Sequence, residues 1–104
     1  NIICAGMLDT KGEEIRYLAS QVKKRGGNPV IMEVSLGHES DWADITLRES
    51  LAMTGNTPED VFILARAAAI DIVAKAGTAK ILELYRQGQV DGIIGWAAGL
   101  EPPW

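Results

Sequence analysis

The chain has a single cysteine, Cys4, which excludes an internal disulfide framework and a cysteine-built zinc cluster. It also has a single histidine, His38. Without a second ligand at a metal-type spacing, His38 and nearby Asp41 make a weak metal or proton-transfer pair. Basic residues are sparse as well: 10 Lys and Arg against 14 Asp and Glu give a net charge of −4, and the basic residues form no block. A phosphate-backbone footprint for DNA or RNA is therefore not expected. No apolar stretch reaches the roughly 18 uncharged residues of a membrane span, and no signal-peptide pattern opens the chain. Neither Gly-x-x-x-x-Gly-Lys-Ser/Thr nor Gly-x-Gly-x-x-Gly occurs. With nucleic acid and membrane set aside as partners, the expectation is a soluble, cytoplasmic globular unit.

Apolar side chains make up 47% of 104 residues, enough for the core of one domain and too few for two. The ends carry little polar padding. Asn1 leads straight into Ile2-Ile3-Cys4-Ala5, and Trp104 follows soon after the apolar run Val90 to Ile94. That reads as a piece of a longer protein, cut close to a cluster of Gly88, Gly92, Gly95 and Gly99.

Ile2 to Met7 reads as a buried strand followed by a turn. Thr10 and Glu13 have capping-box spacing, so a helix is expected to start there. Ile15, Leu18, Ala19 and Val22 give it one apolar stripe, Lys23-Lys24-Arg25 suit its C-terminal dipole, and Gly26-Gly27 end it. Pro29 to Val34 reads as a second strand. A polar loop from Ser35 to Asp44 leads to a short helix capped by Thr46 and Glu49. Thr57-Pro58-Glu59-Asp60 then starts a long helix expected to run to Gln87. Its segment Val61 to Ala74 is apolar except for Arg66 and Asp71, which predicts cover on most sides, and Asp71 and Lys75 can pair at i, i+4. Val90 to Gly95 reads as a third strand.

The order β-α-β-α-α-β predicts an α/β fold: a three-layer, Rossmann-like, doubly wound parallel sheet with strands in the order 2-1-3. With three strands and both edges open, residues 1–104 read as an incomplete N-terminal Rossmann-like domain. Ligands bind outside the carboxyl ends of such strands at the switch point. That places Leu8 to Glu13 and Gly95 to Gly99 around one crevice, with Ser35 to Gly37 at its side.

Asp9-Thr10-Lys11-Gly12-Glu13 carries most of the chemistry. It lies at a helix N-terminus, where free N–H groups and the dipole favour an anion. Lys11 adds a mobile cation, Gly12 permits close backbone approach, and Thr10 can bond a phosphate oxygen. The same residues also suit plain helix capping with a solvated Lys11. Glu33, ending the second strand, can accept from ribose hydroxyls or bond its own loop. Arg66, alone in an apolar stretch, needs a partner: an intrachain acid, a phosphate or another subunit. Trp42, Trp96 and Trp104 can stack an adenine or simply pack. Cys4 reads as core.

Cys4-Ala5-Gly6 through Asp9-Thr10-Lys11-Gly12-Glu13-Glu14 resembles the G-x-x-D-T-K-G-E-E signature of the ATP-binding-domain family of the tomato mosaic virus resistance protein. Asp44-Ile45-Thr46, Arg66-Ala67 and Gln89-Val90-Asp91-Gly92-Ile93-Ile94-Gly95 continue the resemblance. It implies a Rossmann-like domain that binds ATP, with or without magnesium, and a second domain downstream. Carried over, the nucleotide site is Gly6, Asp9, Thr10, Lys11, Gly12, Glu13, Glu33, Ser35, Arg66, Gly95, Trp96 and Gly99. Two departures stand out. The family's glycine-rich run after the third strand is replaced by Gly95-Trp96-Ala97-Ala98-Gly99, and Glu33 stands where aspartate is usual.

The leading expectation is therefore an ATP-binding module of a larger protein. The alternative is an oligomerisation or regulatory domain, a homodimer or higher, resting on the apolar Val61 to Ala74 segment. A stand-alone enzyme has least support, since no Ser/His/Asp order and no activated cysteine occurs.

Overall fold

A computed structural model describes residues 1–96. The chain runs β1 (Ile2–Gly6), α1 (Leu8–Lys24), β2 (Pro29–Glu33), α2 (Leu47–Ala52), α3 (Pro58–Phe62), α4 (Arg66–Arg86) and β3 (Gly92–Trp96). The three strands form one sheet in the order β2-β1-β3, parallel throughout, as the pattern predicts. Ile3 is in register with Val30 and Ile93, and Cys4 with Ile31 and Ile94.

Alternation along β1 explains the layers. Cys4 joins Ile15 and Ala19 of α1, with Ile31 and Val22 packed around them. Ile3 points to the opposite face and joins Met32 and Ile45, with Ile81 and Leu84 of α4 packed against them. A central strand buried on both faces is what a parallel sheet requires. A third cluster (Leu47, Leu51, Val61, Ala69, Val73, Ala76) fixes α2 and α3 to α4. Gly77 of α4 faces the sheet, where a Cβ would stand 3.4 Å from Met32 Cε and 3.8 Å from Val34 Cγ1.

Helix ends follow local chemistry in most places. Thr46 Oγ1 accepts from Glu49 N at 3.1 Å, and Thr57 with Asp60 closes a full capping box on α3. At the end of α1, Gly26 has φ +87°, and Gly27 N donates to Val22 O at 3.0 Å. Gly88 (φ +73°) and Gln89 repeat that arrangement after α4, satisfying carbonyls that would otherwise be orphaned.

Three expectations are corrected. α1 starts at Leu8, with Met7 as a cap that makes no side-chain bond, and the Thr10–Glu13 box is not formed. The helix kinks at Lys11 (φ −124°, ψ 26°), after a first turn closed by Lys11 N donating to Met7 O at 2.6 Å. The driving force is Leu8, only 6% exposed against Cys4 and Ile15. Burying a leucine is worth roughly 1.5–3 kcal/mol, against about 1 kcal/mol for a cap. Second, the single helix expected from Thr57 to Gln87 is divided between Phe62 and Arg66, with Ala65 extended at ψ 151°. Third, the edge of β2 is not open. Asp44 and Ile45 return along it, with Glu33 N donating to Ile45 O (3.0 Å) and Ile45 N to Ile31 O (2.9 Å).

Candidate functional site

A crevice of about 290 Å³ opens beyond the carboxyl end of β1. The first turn of α1 contributes Met7, Asp9 and Thr10, and the loop after β2 contributes Leu36 and Gly37. The α3–α4 junction adds Leu64, Arg66 and Ala69. The break after Phe62 thus has a consequence for the site, because it puts Arg66 in the first turn of α4, facing the turn that carries Asp9.

Asp9 is the most unusual group in the crevice. Its Oδ1 is buried and has no hydrogen-bond partner among the described residues. A buried acceptor left without a donor costs roughly 1–3 kcal/mol, more when charged. Gly37 forms the neighbouring wall, with the position of a Cβ there 3.8 Å from Asp9 Oδ2.

The crevice thus gathers Asp9, Thr10 and Arg66 from the candidates and leaves others outside it. Glu33 is fully buried and makes the loop-bonding contacts that were the alternative to ribose recognition. Its Oε2 accepts from Ser35 Oγ at 2.8 Å and from Ser40 Oγ at 2.7 Å, and Ser40 N donates to both oxygens at 3.1–3.2 Å. Ser35 is likewise buried in this clasp. Gly12 meets Trp42, whose Cζ2 would lie 3.3 Å from a Cβ there. Trp42 carries the Arg16 guanidinium 4.2 Å from its ring centre, so it packs on α1. Lys11 stands at the kink, and Glu13 borders a separate groove with Glu14, Tyr17 and Leu18. Gly6 is buried, its carbonyl accepting from Val34 N at 3.0 Å. Gly95 lies within β3 opposite Ala5, and Trp96 is in register with Gly6. Gly99 and the side chain of Trp96 lie outside the described residues.

Leu36 and Gly37 fall in the Ser35 to Gly37 stretch expected beside the crevice, whereas Ser40 and Leu64 were not singled out by the sequence. Only Ser40, seven residues beyond Glu33 in a polar loop, left a trace there. Burial raises the Cys4 thiol above its ordinary range, in keeping with a core role. Among the described residues no helix is long and apolar enough to cross a membrane.

A family profile described as "Uncharacterised protein family (UPF0261) N-terminal domain" matches residues 1–100. The chain belongs to the UPF0261 family. A UPF0261 protein of Brucella suis biovar 1 is 28% identical over 101 residues, covering 95% of this chain. One of Rhizobium meliloti is 33% identical over 99 residues (94% of the chain), and one of Clostridium tetani 28% over 95 residues (89%). The chain spans 24% of the length of each of these relatives. No solved structure matches it. The UPF0261 assignment overturns the resemblance to the ATP-binding family of the tomato mosaic virus resistance protein. That resemblance ran along nearly the whole chain, but only its first motif, Asp9 to Glu14, was specific.

Proposed function

We propose that this UPF0261 domain is a nucleotide-binding module, taking the sugar-phosphate part of a ligand such as ATP in the crevice between Asp9 and Arg66. The observation that carries the reading is the buried, donorless Oδ1 of Asp9 in a crevice that also holds an arginine, beyond the carboxyl end of β1. A guanidinium recognises phosphate oxygens through paired N–H bonds, and a carboxylate accepts from sugar hydroxyls. Leu36, Leu64 and Met7 supply the apolar wall that ligand sites commonly have. A volume of about 290 Å³ sits at the lower end of such sites, so part of a nucleotide would extend into solvent. In this reading Asp9, rather than Glu33, addresses the ribose. The described lining holds one carboxylate, so a magnesium ion would be held mainly by the phosphates.

Calorimetric titration with ATP, ADP and inorganic triphosphate tests the reading. Saturable ATP binding is expected, weakened about 10-fold or more by Arg66→Ala, as loss of a charged hydrogen bond implies. Asp9→Ala should weaken ATP and leave triphosphate unchanged. Absence of binding, or binding indifferent to both substitutions, overturns it.

A further inference from the structure

The sheet is covered unevenly. Ile3 and Cys4 of β1 are 1% and 0% exposed, while their register partners on β3, Ile93 and Ile94, are 53% and 36% exposed. Parallel sheets bury both faces, so the uncovered part is confined to β3. On the face that holds Ile93, a groove of about 220 Å³ lies between α4 and the sheet at β1 and the end of β2, lined by Ala5, Met32 and Val34 on the sheet side and by Ala74, Gly77 and Thr78 among others on α4. α2 and α3 pack on the flank of α4 that carries Val73 and Ala76, whereas Ala74 and Thr78 are exposed.

We propose that this groove seats a helix from the polypeptide that follows the matched stretch in UPF0261 proteins, and that this helix leads into a fourth strand parallel to β3. Two observations commit the groove to that occupant. The matching profile is that of an N-terminal domain, and the chain spans 24% of its relatives, so most of their length lies beyond it. Handedness then selects the face. The connection from β2 to β3 crosses through α4, on the side of Ile3 and Ile93. A right-handed connection leaving β3 in the same direction returns on that same side. Its helix falls beside α4, where Ala74 and Thr78 on the exposed flank are small enough for a close interhelical approach. The outer edge of β3 then gains a partner for its backbone groups.

Thiol labelling tests this directly, because Cys4 is buried and contributes little background. Thr78→Cys reports on the groove, Ile93→Cys on the exposed face of β3 beside it, and Lys75→Cys on exposed helix surface. The probes are placed in residues 1–104 and in the polypeptide carrying its natural downstream sequence. In the longer chain the thiols at 78 and 93 should react about 100-fold or more slowly than in the shorter one, while that at 75 reacts alike in both. Should Ile93→Cys fail to fold, Thr78→Cys alone carries the measurement. Equal rates in the two chains overturn the proposal. So does protection in residues 1–104 that grows with protein concentration, which would assign the groove to a second copy. A natural polypeptide that ends at residue 104 overturns it as well.

Discussion

Replacing Glu33 by glutamine asks whether a buried charge holds the loop that walls the crevice. Three donors converge on Oε2 of Glu33: Ser40 Oγ at 2.7 Å, Ser35 Oγ at 2.8 Å and Ser40 N at 3.1 Å. A glutamine can keep its oxygen there, but its NH₂ then faces Ser40 N–H, which stands 3.2 Å from Oε1. Hydrogen bonds to a charged group contribute roughly 1.5–3 kcal/mol and neutral ones 0.5–1.5. Weakening three of them is partly offset because a neutral group no longer has to be desolvated as an ion. The net loss expected for Glu33→Gln is about 1–2 kcal/mol, or roughly 4–16 °C in Tm for a domain of this size. Glu33→Ala, which leaves buried donors without an acceptor, should cost about 3 kcal/mol. Urea unfolding followed by circular dichroism measures both. A double-mutant cycle with Ser40→Ala should show a coupling of about 0.5 kcal/mol or more. A Glu33→Gln variant as stable as the parent, or a Ser40→Ala effect unchanged in its background, would refute the clasp. If such a stable variant lost ATP affinity, Glu33 would return as a ligand residue.

Other outcomes follow from single features. Gly77→Ala should stabilise by up to about 1 kcal/mol through helix propensity, since the new Cβ meets only side-chain ends at contact distance, Met32 Cε at 3.4 Å and Val34 Cγ1 at 3.8 Å. Gly77→Leu should destabilise by about 1–3 kcal/mol through overpacking, and urea midpoints separate the two. Thr57→Ala removes the cap of α3 and should cost about 1 kcal/mol in the same assay. Arg48 bonds Glu39 and Glu59, and its hydrogen bond holds the Glu59 carboxyl below the usual 4.5. A lowered acid stabilises the fold above its unfolded pKa and loses that contribution as pH falls through the folded value. Arg48→Ala should therefore flatten the fall in stability below pH 4.5, and added salt should mimic it, since the pair is exposed. Cys4 has the opposite sign. Its raised pKa means that stability declines as pH rises above the ordinary thiol value of 9.0, and Cys4→Ala should remove that slope.

What could be read from the sequence was what short-range physics decides. Period and capping gave the strands, α2 and the start of α3, and an all-apolar first strand pointed to a central position. Where a local signal competed with burial, burial won. Thr10 and Glu13 have the same spacing as Thr46 and Glu49, yet only the latter pair starts its helix, because Leu8 pulls the first turn of α1 forward into the core. The break after Phe62 has no glycine or proline at 63–65 to announce it. It is made where Val61 and Ala69 both turn inward to one cluster. At the crevice, Asp9 and Thr10 were identifiable as polar residues just after the first strand, and Arg66 only as a charge within an apolar stretch, since its place at a helix start depends on the break after Phe62. For Glu33 the loop-bonding reading was open, but its partner was not, because Ser40 folds back across seven residues.

The return of Asp44 and Ile45 along β2 gives the sheet a direction. Pro29 opens that strand without an N–H, and the returning segment occupies the edge from Ile31 to Glu33. An extended chain from elsewhere, whether a misfolded copy or an aggregating peptide, finds no template on that side. Pairing errors are therefore funnelled to β3, where Ile93 and Ile94 adjoin an unpaired edge among the described residues. A lysine at either position should raise solubility, whereas one on β2 should do little.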